Sequence, residues 1–287
     1  MFDGNGDHDS VFWPRRLRYN VARKESGTRR AKERWCIVDK PELIVVDSAD
    51  ELATRAADFI SRAAQESIRE RGRFTLALAG GSTPAKTYAE LARRDATNGV
   101  DWNSSYLFFG DERYVPPDDP RSNYRMALES LIGAAPIDED HVFPIPTSLA
   151  TSQACARMYS GMLTQFFHTA PGEMPCFDLI LLGLGDDGHT ASLFPGAKAL
   201  AVRKSAVTST PPGTLPPAVE RITLTYPAIN AARRVLFLVS GEGKAEALGE
   251  IWRGKAARRR RPAAGVRPKH GTLTWLVDRP AAAWIPM

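Results

Sequence analysis

The sequence predicts an α/β protein: a three-layer, mostly parallel, Rossmann-like sheet with helices on both faces. Strand-like runs such as FTLALAG and FDLILLGLG are apolar throughout instead of alternating, the pattern of strands covered on both sides. Segments with helical period separate them, the alternation that builds a parallel sheet. In such sheets functional groups gather at the carboxyl ends of the strands, so the glycine-rich and polar loops that follow them are where chemistry is expected.

The elements begin near Leu43. LIVVD reads as a short buried strand. Ser48 and Glu51 in the following SADE have capping-box spacing, and Leu52, Ala56, Phe59, Ile60 and Ala63 recur with helical period, so a helix starts there. FTLALAG, from Phe74 to Gly80, is a second buried strand. A helix runs from Pro84 to about Arg94, with the proline in the first turn, where its missing N–H is no loss. SYLFFGDE reads as a third strand ending in acids. SLATSQACARMYSGMLTQFF is helical, FDLILLGLG is a strand, RITLTY and RVLFLVSG are two more, KAEALGEIWRG is a helix, and TLTWLVD closes the series. With no internal repeat and no long linker after Leu43, residues 41–287 are expected as a single domain behind a basic N-terminal extension, residues 1–40.

Composition narrows the function classes. Apolar residues make up 43% and charged residues 25%, the proportions of an ordinary globular protein. No apolar run approaches the roughly 18 residues that span a bilayer, and no signal-like apolar region opens the chain, so a cytoplasmic protein without membrane contact is expected. Cys36, Cys155 and Cys176 are scattered, which argues against a disulfide framework and a structural zinc site. The net charge of +5 is concentrated in the N-terminal segment and in WRGKAARRRR. Both read as solvated extensions or helix ends, and nucleic acid is not an expected partner.

Four loops could carry chemistry. AGGSTPAKTYAEL sets Gly81, Ser82 and Thr83 at a helix N-terminus with no acid in the first turn, an anion site lacking the Walker pattern. GLGDDGHTASLFPG contains a GxGxxG string, but Asp186 and Asp187 would face a pyrophosphate, Pro195 cuts the following helix short, and no acid lies about twenty residues on. A dinucleotide is discounted. One histidine without a second at ligand spacing makes zinc an unattractive reading. As a base His189 does better, since Asp187 could fix its tautomer, although a lone loop histidine is also a common structural feature. In FFGDERYVPPDDPRSNYRMA, Arg113 could bind substrate oxygens or a developing oxyanion, or only pair with Asp111 and Glu112. Arg221 opens RITLTY, and Lys244 begins the helix after VSGEG, where a cation sits badly unless an anion is near.

Taken together, LAGGSTPAKTYAEL, FFGDERYVPPDDPRSNYRMA, FDLILLGLGDDGHTASLFPG, RITLTYPAINAARRVLFLVSGEGKAE and TLTWLVDRPAA resemble the 6-phosphogluconolactonase family, within the group that includes glucosamine-6-phosphate isomerase/deaminase. The resemblance runs from about Leu43 to the C-terminus. It implies a phosphosugar isomerase-like fold and hydrolysis of 6-phospho-D-glucono-1,5-lactone to 6-phosphogluconate, the second step of the oxidative pentose phosphate pathway. The deaminase branch looks like DGHxAFNEP and DEY. Here the position five after the histidine is Phe194 and the acid loop reads DER, which favours the lactonase. The alternatives are a glucosamine-6-phosphate isomerase/deaminase-type enzyme and a non-catalytic phosphosugar-binding regulator.

The resemblance implies that His189 deprotonates water, Asp187 orients it, and Arg113 holds the lactone or its oxyanion. It rests the phosphate on Gly81, Ser82 and Thr83, with Arg221 and Lys244 as counter-charges, and adds Asp111 and Asn123 as further substrate contacts. It implies no cofactor and no metal, with a phosphosugar lactone as the ligand of a monomer or homodimer. The family segment LPA…VRP appears here as RRRRPAAGVRP, a departure at which no site residue is expected.

Overall fold

In the computed structural model, which describes residues 41–285 other than 95–98, 214–216 and 255, the elements follow one another much as the sequence predicts. The basic extension over residues 1–40, with Cys36, lies outside the described residues. β1 (Glu42–Val46) leads into α1 (Ala49–Arg71). Ser48 Oγ accepts the Glu51 N–H at 3.2 Å, while the Glu51 carboxylate accepts the Asp47 N–H at 2.9 Å, one residue before the usual reciprocal bond of a capping box. Gly72 ends α1 in the left-handed conformation, φ 72°, and donates to the Ile68 carbonyl.

The chain continues through β2 (Phe74–Leu78), α2 (Ser82–Ala92), β3 (Ser105–Phe109), β4 (Asp111–Arg113) and α3 (Asn123–Ala127). It then forms β5 (Val142–Phe143), α4 (Ser152–Phe167), β6 (Leu179–Gly183), β7 (Val207–Thr210) and β8 (Arg221–Leu224). The last elements are α5 (Tyr226–Ile229), β9 (Arg234–Val239), α6 (Ala245–Trp252), β10 (Thr272–Asp278) and α7 (Arg279–Ala282).

Seven strands form one sheet in the order β1-β10-β9-β6-β2-β3-β5, and every pair in it is parallel. All five residues of β2 are buried, as are four of the five in β6 and five of the six in β9. Successive strand residues face opposite sides, so both faces of the sheet are covered. LIVVD is the exception to the expected burial: β1 is an edge strand with a single neighbour, and only Val46 is fully buried. At the amino ends, buried Asp178 ties β2 to the segment entering β6. Its Oδ2 accepts both the N–H and the hydroxyl of Thr75, at 2.9 and 2.8 Å, and Oδ1 accepts Arg71 Nε at 3.0 Å.

Two expectations about strands are corrected. SYLFFGDE breaks at Gly110, whose N–H returns to the Leu78 carbonyl at 2.8 Å: residues up to Phe109 stay in the parallel sheet, and Asp111–Arg113 leave it. RITLTY does not join the parallel sheet either. β4, β8 and β7 make a separate three-stranded antiparallel sheet, in which Arg113 stands opposite Arg221. All four residues of β8 are buried, with α4 packed on β7 and β8, so RITLTY reads in the sequence like a strand of the central sheet.

The order of strands fixes where the functional loops lie. From β2 the chain moves to β3 and β5, then crosses back to β6 on the other side of β2. The crevice at the carboxyl ends of β2 and β6 is therefore a topological switch point, where adjacent loops diverge and leave room for a ligand.

Candidate active site

Four loops stand side by side at that edge, in the order VSGEGK after β9, GLGDDGH after β6, AGGSTP after β2 and GDER after β3. They are joined to each other. Lys244 Nζ donates to the Asp186 carboxylate, linking the first two loops. Ser192 Oγ donates to Asp111 Oδ2 at 2.6 Å, linking the second to the fourth, with both residues buried. Asn123 closes the remaining gap: its Nδ2 donates to the Asp111 carbonyl at 2.8 Å, and a Cβ on Gly80 would lie 2.0 Å from its Oδ1. Only glycine at position 80 lets the two loops meet.

The turn after β6 places the histidine. Gly188, at φ 80°, takes a conformation that side-chain-bearing residues rarely adopt, and its N–H returns to the Gly185 carbonyl at 2.9 Å. Asp187 Oδ1 accepts the His189 backbone N–H at 2.9 Å and lies 2.6 Å from His189 Nδ1. Burial works against ionisation of Asp187, but the His189 ring and N–H outweigh it and hold the carboxyl below its ordinary value. A carboxylate only accepts, so Nδ1 carries the proton and Nε2 is left with a free lone pair. The ring lies flush against the main chain: a Cβ on Gly185 would sit 2.1 Å from Nδ1. Phe194, buried, covers the other side with centroids 5.0 Å apart. Ala191 is held at φ 47°, a strain of about 1–3 kcal/mol in the bend that delivers Ser192 to Asp111.

Arg221 also lies against the Phe194 ring, with its guanidinium carbon 5.9 Å from the centroid. It is 5% exposed, and its donors reach only carbonyls, those of Val219 at 3.2 Å and Pro217 at 2.8 Å. Burial lowers its pKa, Asp111 opposes that, and the like charge of Arg113 adds to it. Arg113 donates from Nη1 to the Arg121 carbonyl at 2.6 Å, and its Nε is buried with no partner. Among the described residues neither guanidinium forms an ion pair, so the surface pairing of Arg113 with Asp111 and Glu112 is not what occurs. Two neighbouring cations that form no ion pair favour an anionic ligand.

α2 presents a third donor group. Gly81, at φ 109°, is the residue before the helix, no side chain caps the first turn, and no acid lies in it. Ser82 and Thr83 start the helix two residues before the expected Pro84, so their N–H groups face outward with the positive end of the helix dipole. Lys244 precedes α6 as predicted, and its charge is matched by Asp186.

Glu112 has a role that sequence reasoning missed. It is 2% exposed and accepts the N–H groups of Arg113, Asn123 and Tyr124 at 2.6, 2.7 and 2.7 Å and the Ser122 hydroxyl at 3.0 Å. It thereby folds the proline-rich loop back on β4 and presents Arg113. Burial pushes its carboxyl up, and those N–H bonds oppose the shift. The nearest signal in the sequence is the SNY helix start ten residues on. Among the described residues no three His, Cys, Asp or Glu side chains converge as metal ligands, and no helix is long and apolar enough to cross a membrane.

The chain is similar to known proteins over most of its length. A family model described as glucosamine-6-phosphate isomerases/6-phosphogluconolactonase matches residues 47–275. A 6-phosphogluconolactonase of Synechocystis sp. is 42% identical over 241 residues, covering 84% of this chain and 97% of that one. One of Nostoc sp. is 39% identical over 244 residues, covering 85% and 98%. The structure of 6-phosphogluconolactonase from Trypanosoma cruzi superposes with a TM-score of 0.77 at 33% identity, over 85% of this chain and 96% of that one.

Proposed function

The chain belongs to the glucosamine-6-phosphate isomerase/6-phosphogluconolactonase family, and on that premise we propose that it hydrolyses 6-phospho-D-glucono-1,5-lactone to 6-phosphogluconate. The observation that carries this reading is that the Asp187–His189 pair and Arg221 share the Phe194 ring, with Arg113 opposite Arg221 and no ion pair to either guanidinium among the described residues.

In this reading His189 Nε2 accepts a proton from water as the water oxygen bonds to the lactone carbonyl carbon. The bond from that carbon to the ring oxygen then breaks, and the proton returns to the ring oxygen, leaving the open-chain acid. Asp187 stabilises the transient imidazolium and keeps the ring in register, a contribution of about 10²–10⁴-fold together with the base it orients. Arg113 faces the carbonyl oxygen, where negative charge develops. The phosphate is taken up by the N–H groups and hydroxyls of Ser82 and Thr83 beside Gly81, with Arg221 as counter-charge. Lys244 reaches it only by giving up Asp186. Asp111 and Asn123 act mainly by holding the loops around the substrate. The same reading makes residues 41–287 one catalytic domain, working in the oxidative pentose phosphate pathway.

The test follows loss of the lactone by NMR against its spontaneous hydrolysis. The wild type accelerates it, and His189→Ala loses about 10²–10⁴-fold of kcat. No acceleration by the wild type overturns the activity; undiminished acceleration in His189→Ala overturns the mechanism.

A further inference from the structure

The arginine run before PAAGVRP lies against the turn that carries the histidine. Arg261 has a side chain only 14% exposed, although its neighbours Arg258, Arg259 and Arg260 are all exposed. Its stem covers the one residue between Asp187 and His189: a Cβ on Gly188 would lie 2.6 Å from Arg261 Cδ and 3.1 Å from its Cα. Its guanidinium spreads over three acceptors, Nε to Glu250 Oε2 at 2.7 Å, Nη2 to Glu246 Oε1 at 3.2 Å and Nη1 to the Asp186 carbonyl at 3.3 Å. Glu246 and Glu250 are one turn apart on α6, so they form a single acidic face for the planar fork. The main chain repeats the contact on both sides. Ala263 donates to the Gly188 carbonyl at 2.9 Å, and Gly196 donates to the Arg259 carbonyl at 3.0 Å.

The residues flanking Asp187 are thus held from two directions: Asp186 by Lys244 through its side chain and by Arg261 through its carbonyl, Gly188 by Arg261 and Ala263. We infer that Arg261 is a positioning residue for the Asp187–His189 pair, transmitting the fixed frame of α6 to the turn and setting where Nε2 points. Among the described residues it makes no hydrogen bond or ion pair to Arg113, Arg221 or the α2 N-terminus, so its effect falls on turnover and not on capture of the phosphate. The inference rests on the lactonase reading for its kinetic part only.

The experiment compares Arg261→Ala, Arg261→Lys and the pair Glu246→Gln/Glu250→Gln with the wild type. For each, kcat and KM are measured on the phosphorylated lactone. The Nδ1–H proton of His189 is recorded in ligand-free protein with ¹⁵N-labelled histidine and identified by its absence in His189→Gln. Displacing reacting groups by about an ångström lowers turnover on the order of 10²-fold, so Arg261→Ala loses roughly 10–100-fold in kcat with KM within about threefold, and its Nδ1–H signal broadens or shifts. Arg261→Lys, which keeps the stem over Gly188 and a charge for α6, recovers most of both. The double glutamine variant, whose changes lie on the surface of α6, reproduces the loss in part and serves if Arg261→Ala does not fold. Unchanged kcat with an unchanged Nδ1–H signal overturns the inference, as does a loss confined to KM or a lysine variant as impaired as alanine. If the wild type fails to hydrolyse the lactone, the functional reading falls, and the Nδ1–H signal alone still decides the role of Arg261.

Discussion

Around His189 most polar groups find partners within the chain: Asp187 Oδ1 serves its ring and its N–H, Lys244 serves Asp186, and Ala263 serves Gly188, while Asp187 Oδ2 is buried without a partner. Around Arg113 and Arg221 they do not. One guanidinium has a buried nitrogen with no partner, the other leans on two carbonyls, and the α2 N-terminus nearby is uncapped. The first region fixes the imidazole without a ligand, as a base that must be aimed before substrate arrives requires. The second holds two cations side by side with no ion pair to either. A protein that does so gives up stability there, and an anion restores it on binding.

The contrast is sharpened most by Arg221→Met. Its kcat/KM for the phosphorylated lactone falls about 10–100-fold, the worth of a charge-assisted hydrogen bond, while its rate on unphosphorylated gluconolactone stays near that of the wild type. Its melting temperature does not fall, because a buried like-charge neighbour of Arg113 has gone. Equal losses on both lactones would place Arg221 with the base and erase the distinction. A smaller effect is expected from inorganic phosphate. At ten times its Kd it stabilises the wild type by about 1.4 kcal/mol, or about 3–6 °C. Asp187→Asn responds equally and Arg221→Met does not, as calorimetry can check.

The smallest effect is the pH dependence of the turn. Asp187 is held below its ordinary pKa in the folded protein, so its charge stabilises the fold above the unfolded value near 3.9 and stops doing so as pH falls through the lower, folded value. The stability margin of wild type over Asp187→Asn is therefore full at neutral pH and shrinks from about pH 4 downward. A margin that stays constant to the acid limit would mean that Asp187 acts through packing alone.

Much of this was legible in the sequence because it is local. Ser48 and Glu51 sit three apart, Asp187 and His189 two apart, and the apolar runs of β2, β6 and β9 declare strands buried on both faces. What was not legible depends on pairings across long separations. RITLTY and the end of SYLFFGDE read as strands, but that Asp111–Arg113 and Arg221–Leu224 pair with each other in a second, antiparallel sheet is set by contacts far apart in the chain. Lys244 finds Asp186, 58 residues away, and Arg261 reaches the Asp186 carbonyl, 75 away. In the sequence Lys244 shows only that some anion should be near, and Arg261 is one more member of an arginine run. Glu112 stands between an acid and an arginine and looks like one more surface charge, yet it is the buried acceptor that shapes the loop.

The bare α-carbon at Gly185 has a bearing on how natural variants of this gene would be interpreted. No side chain fits there without taking the volume of the imidazole, since even a methyl would fall within 2.1 Å of Nδ1 and 2.8 Å of the Asp187 carboxylate. A change from glycine to alanine at this codon looks mild by size and polarity. In this chain it would inherit the phenotype of a lost histidine.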